Sequence, residues 1–199
     1  MKVTVLGAGG WGLALALALD TNGQNVTVWS PFEKEVNTLS KERTNEKLLP
    51  GIIIPDSINI TTDLTACEND DITVIATPSF AVRETAKKLK SFKNCGILVN
   101  VAKGFENSTL MRLSEVIESE LPGCDLVVLS GPSHAEEVAR KIPTMLTAAG
   151  KNDAACKRVQ EPVTSWAAPK NISFMRIPPL YYSMICSCGF VSVQQRHTR

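Results

Sequence analysis

The sequence predicts an α/β fold built on a mostly parallel sheet, and three observations predict it. Short β-branched and aliphatic runs alternate with helical patterns along most of the chain. The first run, Val3 to Leu6, leads at once into Gly7-Ala8-Gly9-Gly10-Trp11-Gly12, a G-x-G-x-x-G turn between a strand and a helix. Two later runs lead straight into polar turns, Lys103-Gly104 and Gly131-Pro132-Ser133, as expected where strands end at a binding edge.

The elements follow in order. Val3 to Leu6 reads as a buried strand, and the alanine- and leucine-rich stretch Trp11 to Leu19 as a helix. Asn25 to Trp29 is a second strand. Pro31 then opens a charged helix to Glu42, since proline suits a first helical turn. Pro50 to Ser57 reads as a loop. Strands are expected at Ile58 to Thr61, Ile72 to Ala76, Ile97 to Val101, Leu126 to Ser130 and Met145 to Ala149. Helices are expected at Phe80 to Leu89, Thr109 to Glu120, His134 to Arg140 and Asp153 to Gln160. The result is a Rossmann-type, doubly wound sheet over residues 1–161.

Composition narrows the function. With 21 basic against 20 acidic residues, the chain has no charge excess to draw it to nucleic acid or an acidic membrane. The apolar run Ile177 to Val193 holds two prolines and is too short to span a bilayer. Six cysteines are mostly scattered, and Cys186 with Cys188 lacks further ligands, so no metal site is expected. A reduced, cytoplasmic setting follows.

The glycine turn carries the chemistry. Gly7 permits the tight turn, Gly9 lets the backbone approach a diphosphate, and Gly12 lets the helix pack close to the strand. The helix beginning near Gly10 and Trp11 offers free amides and its positive dipole end. At the end of the second strand stands Ser30, where NAD-specific enzymes often carry an acid. No arginine adjoins it, Lys34 is nearby, and NAD and NADP both stay open. Ser30 can equally cap the following helix. Lys103 puts a cation at the sheet edge, with a solvated loop lysine as the plain alternative. Ser133 can cap the next helix, and His134 has no neighbour in sequence that makes a dyad.

GAGGWG, NVAKG and SGPSHAEEVARKIPT, in this order, resemble bacterial NAD(P)-dependent glycerol-3-phosphate dehydrogenase over residues 1–161. The resemblance implies hydride transfer between NAD(P)H and dihydroxyacetone phosphate, giving sn-glycerol 3-phosphate for phospholipid synthesis. It implies that Gly10, Trp11 and Ala135 border the cofactor, that Lys103 touches cofactor and substrate, and that Gly131 and Ser133 border the substrate. Pro78 and Phe80 would flank the nicotinamide side. It also allows a homodimer. Ser30 departs from the family's usual arginine.

The composition shifts after Glu161: every acidic residue lies at or before it, and both tyrosines lie beyond. Prolines at 162, 169, 178 and 179 argue against helix in residues 162–199, which read as an irregular tail foreign to the family. The family's proton-donating lysine sits in an A-L-K-N helix. Ala168-Pro169-Lys170-Asn171 matches poorly, because Pro169 opposes a helix interior. No catalytic residue is therefore assigned, and the chain is expected to act as a fragment with little turnover. Two other readings stand beside this one: a non-catalytic nucleotide-binding relic, and a related two-domain hydroxy-acid reductase.

Overall fold

The computed structural model describes residues 1–131, 133–142, 144, 146–164 and 174–176. Among the described residues, ten strands and six α-helices run in the order β1 (Lys2–Leu6), α1 (Gly10–Thr21), β2 (Asn25–Trp29), α2 (Glu33–Glu42), β3 (Thr44–Asn45), β4 (Leu49–Ile53), β5 (Asn59–Thr61), β6 (Ile72–Ile75), α3 (Val82–Leu89), β7 (Ile97–Asn100), α4 (Leu113–Glu120), β8 (Leu126–Ser130), α5 (Ala135–Ala139), β9 (Leu146–Gly150), α6 (Asp153–Thr164) and β10 (Phe174–Arg176).

Eight strands form one sheet in the order β10-β9-β8-β7-β6-β1-β2-β5. From β5 to β8 every pairing is parallel, with Leu6 opposite both Trp29 and Ile75, and Ile75 opposite Asn100. β9 returns antiparallel to β8, and β10 lies parallel to β9. The order from β5 to β8 is that of a doubly wound dinucleotide-binding sheet, reversing direction between β1 and β6. Central strands such as Val3–Leu6 and Ile72–Ile75 are buried throughout because helices cover both faces. One face packs against α1, α5 and α6 through Leu13, Ala16, Val138, Cys156 and Val159. The other packs against α3 and α4 through Val82, Leu89, Val116 and Ile117.

Several expectations change in detail. Residues 50–57 are not all loop: β3 and β4 form an antiparallel ribbon, with Pro50 and Gly51 inside β4. Proline is tolerated there because the ribbon has only one partner for each strand. Its buried Leu49 joins the core, which period-2 patterning had no way to show. Helix α2 begins at Glu33 rather than Pro31, because the Ser30 hydroxyl accepts the Phe32 amide and holds residues 30–32 in a turn. Helix α4 begins at Leu113 rather than Thr109. Residues 104–112 instead form a loop closed by a Phe105–Arg112 bridge, with Leu110 left-handed.

Past Glu161 the chain is less irregular than its prolines suggest. Helix α6 carries on to Thr164 with Pro162 inside it, and β10 joins the sheet. Pro162 is buried, lines a small apolar void together with Val3, Leu15 and Leu19, and its carbonyl accepts from the Asn22 side chain. Lys170 and the run 177–193 lie outside the described residues. Among the described residues, no helix is long and apolar enough to cross a membrane.

Candidate functional site

Parallel strands place all their carboxyl ends at one edge, and the segments leaving β1, β2, β6 and β7 meet there. They enclose a cleft of about 590 Å³, within the size range of small-molecule and cofactor sites. It lies where the strand order reverses.

The floor is the glycine turn. Gly7 has φ +126°, and a Cβ there would come within 2.8 Å of the Ala76 carbonyl oxygen. At Gly12 a Cβ would stand only 2.1 Å from the Gly7 carbonyl, so this glycine lets α1 begin beneath the turn. Gly9 differs: nothing lies within 4 Å of where its Cβ would be, because it faces the open cleft. Above it the amides of the first turn of α1 have no helical acceptor, as at any helix start. Such a surface suits a diphosphate.

Two buried polar atoms in cleft-lining residues have no hydrogen-bond partner among the described residues: the Trp11 indole Nε1 and the Thr77 hydroxyl. Buried polar groups are nearly always paired, so two orphans in one cleft favour a polar ligand there. A dinucleotide carries acceptors and donors of the kind these two residues lack. The residues present therefore fit a nicotinamide dinucleotide.

The side walls hold six further residues singled out in the sequence. Ser30, Pro78, Phe80, Lys103, Ser133 and Ala135 line the same cleft as Gly7, Gly9, Gly10 and Trp11. Phe80 is 77% exposed, and Ala135 lies near Gly10. Lys103 is set by a local device: the buried Asn100 side chain accepts the Ala102 amide and donates to the Ala102 carbonyl. From there the Lys103 Nζ reaches the Ser133 carbonyl at 3.5 Å, joining the turns after β7 and β8. Beyond Lys103, Arg83 of α3 grips Glu106 with two hydrogen bonds of 2.7 Å and also bonds Glu120. The guanidinium holds the Glu106 carboxyl at about 2, well below the ordinary carboxylate value.

Two residues sit elsewhere. Gly12 lies beneath the turn, and Gly131 is buried and does not line the cleft; its carbonyl accepts from the Ser133 hydroxyl at 3.4 Å. Ser133 is therefore not a helix cap. His134 occupies the N-cap position of α5, without a side-chain cap bond.

The structure also adds residues that the sequence did not single out. Trp29, Phe32, Glu35, Thr77 and Lys88 line the cleft. Glu35 comes from α2 and accepts a hydrogen bond from the Ser30 hydroxyl. Its position three residues into a helix gave no local signal, since an acid in a first turn is ordinary.

The comparisons with known proteins bear on the family and the fold. A family profile described as "NAD-dependent glycerol-3-phosphate dehydrogenase N-terminus" matches residues 2–156. Glycerol-3-phosphate dehydrogenase [NAD(P)+] of Thermoanaerobacter sp. is 50% identical over 163 residues, covering 81% of this chain and 49% of that protein. The Agathobacter rectalis protein of the same name is 45% identical over 162 residues, covering 80% and 48%. Among solved structures, glycerol-3-phosphate dehydrogenase from Coxiella burnetii superposes with a TM-score of 0.77 at 29% identity, covering 88% of this chain and 53% of that one. The chain thus spans about half the length of the curated relatives it matches. The chain belongs to the family of NAD-dependent glycerol-3-phosphate dehydrogenase amino-terminal domains.

Proposed function

We propose that this chain is the cofactor-binding half of an NAD(P)-dependent glycerol-3-phosphate dehydrogenase, an oxidoreductase that transfers hydride between NAD(P)H and dihydroxyacetone phosphate. The observation that carries the proposal is the glycine turn, open at Gly9 and closed at Gly12, beneath the orphaned Trp11 and Thr77 groups. The diphosphate would rest on the amides of Gly10, Trp11 and Gly12, with Ala135 beside them. Pro78 and Phe80 would flank the nicotinamide. Lys103 would hold the cofactor and the anionic substrate together, with Gly131 and Ser133 shaping the substrate side.

The bound cofactor supplies hydride from its nicotinamide ring. This chain's residues supply position and exclude water on one side. The developing alkoxide needs a donor within hydrogen-bond reach, and the proposal assigns that role to none of the described residues. A cytoplasmic setting, a homodimer and a place in phospholipid synthesis come with the family resemblance.

Titration calorimetry on the purified chain tests the reading. NADH or NADPH should give a saturable heat at ligand concentrations up to the millimolar range, and loss of that heat in Lys103→Ala is not required. A folded chain that gives no heat with either dinucleotide would overturn the proposal.

A further inference from the structure

We infer that Glu35, held by Ser30 at the end of β2, makes this cleft select NAD over NADP. The inference rests on the cofactor reading above and deepens it. In a sheet of this order the adenosine ribose lies at the carboxyl end of the strand following the glycine-turn helix, which here is β2. Both Ser30 and Glu35 line the cleft there.

The hydrogen bonds show how the pair is built. Ser30 is buried at 1% exposure, and its backbone amide donates to the Thr61 carbonyl at 3.1 Å. Its hydroxyl donates to Glu35 Oε2 and accepts the Phe32 amide at 3.3 Å. The hydroxyl proton is thus committed to Glu35 and has nothing to offer a 2′-phosphate. The carboxylate is half-buried and fixed, with its second oxygen left to accept from a ribose 2′-hydroxyl. A 2′-phosphate has no proton to give it and brings like charge against it.

The surrounding charges do not reverse this. The start of α2 would favour an anion, but Glu33 and Glu35 already occupy its first turn. No arginine is among the described residues that line the cleft, so no guanidinium fork meets a phosphate there. Lys34 and Lys47 border an adjoining depression on α2 that shares Phe32 and Glu35 with the cleft, and neither lysine lines the cleft itself. Lys88 does line it, but its Nζ lies 5.6 Å over the Trp29 ring, and Glu84 lies one turn before it on α3. The discrimination therefore comes from a repulsive element, which is how close analogues are told apart.

The test compares NADH and NADPH by titration calorimetry on the full chain and on Glu35→Gln. The glutamine keeps the size of the side chain and an acceptor for Ser30 while removing the charge. The wild-type chain should bind NADH at least about ten-fold more tightly than NADPH, the penalty for like charges meeting in a partly solvated site. Glu35→Gln should tighten NADPH and bring the ratio close to one. Equal affinities in the wild type, or tighter NADPH, would overturn the inference while leaving the cofactor reading intact. So would a Glu35→Gln chain that keeps the full wild-type ratio. If neither dinucleotide binds, the cofactor reading falls and takes this inference with it.

Discussion

At the scale of single residues, the glycines of the turn divide by what they would touch. Ala at Gly12 gains about 1 kcal/mol of helix propensity, but its Cβ would stand 2.1 Å from a backbone oxygen that has no room to move. Overpacking of this kind costs about 1–3 kcal/mol, so the clash wins. Gly12→Ala should lower the thermal midpoint and weaken NADH binding together. Gly9 has φ −66° and open space around it, so Gly9→Ala should fold with a midpoint close to wild type, the gain from a stiffer unfolded chain being offset because alanine is a poorer N-cap for α1 than glycine. Its methyl would project into the open cleft where the diphosphate is proposed to rest, and calorimetry should show NADH binding weakened by at least about ten-fold. A Gly9→Ala chain with wild-type affinity would count against the proposed position of the diphosphate. These glycines were legible because each answers a local backbone demand written into adjacent residues. Thr77 and Glu35 were not, since a threonine after a strand and a glutamate early in a helix become informative only when folding buries one without a partner and hangs the other on Ser30.

At the scale of elements, the strands and most helices were legible because each central strand is a β-branched and aliphatic run buried on both faces, a pattern that a parallel sheet under two helix layers requires. The differences lie where contacts distant in sequence override local preference. The ribbon of β3 and β4 forms around a proline because Leu49 reaches the core, and α6 holds Pro162 inside it where the residue is buried and its carbonyl accepts from the Asn22 side chain. The loop 104–112 displaced the expected first turn of α4 because Arg83 on α3 clasps Glu106 within it. That clasp predicts a pH dependence. Glu106 titrates at about 2 in the folded chain against an ordinary value of 4.5. A depressed carboxyl stabilises the fold above its unfolded pKa, and the contribution is lost as pH falls toward the folded value. Stability should therefore decline between pH 4.5 and about 2. Glu106→Gln should be less stable at neutral pH and should flatten the decline across that interval, as read by urea unfolding at a series of pH values. An unchanged slope in the variant would remove Glu106 from the account.

At the scale of the whole molecule, a parallel sheet separates function from stability along the length of each strand. β6 shows this over a few residues: it opens at Ile72, buried among apolar side chains at the edge opposite the cleft, and leads through Ala76 to Thr77 in the cleft wall. Ile72→Val removes one buried methylene, so it should cost about 0.5–1.5 kcal/mol. For a chain of this size that lowers the thermal midpoint by roughly 2–4 °C per kcal/mol, and NADH affinity should not change. Thr77→Val keeps the shape of the side chain but removes a buried hydroxyl that has no partner among the described residues. An unpaired buried group costs about 1–3 kcal/mol, so the valine chain should melt higher than wild type. The same change deletes a group available to the cofactor, so NADH should bind more weakly and should raise the melting point by a smaller amount at equal concentration. Opposite signs for stability and affinity at Thr77, beside a pure stability loss at Ile72, are the signature of a hydroxyl kept for a ligand. If Thr77→Val instead lost stability as Ile72→Val does and bound NADH normally, the hydroxyl would belong to the packing of the sheet, and the argument from orphaned polar groups would then rest on Trp11 alone.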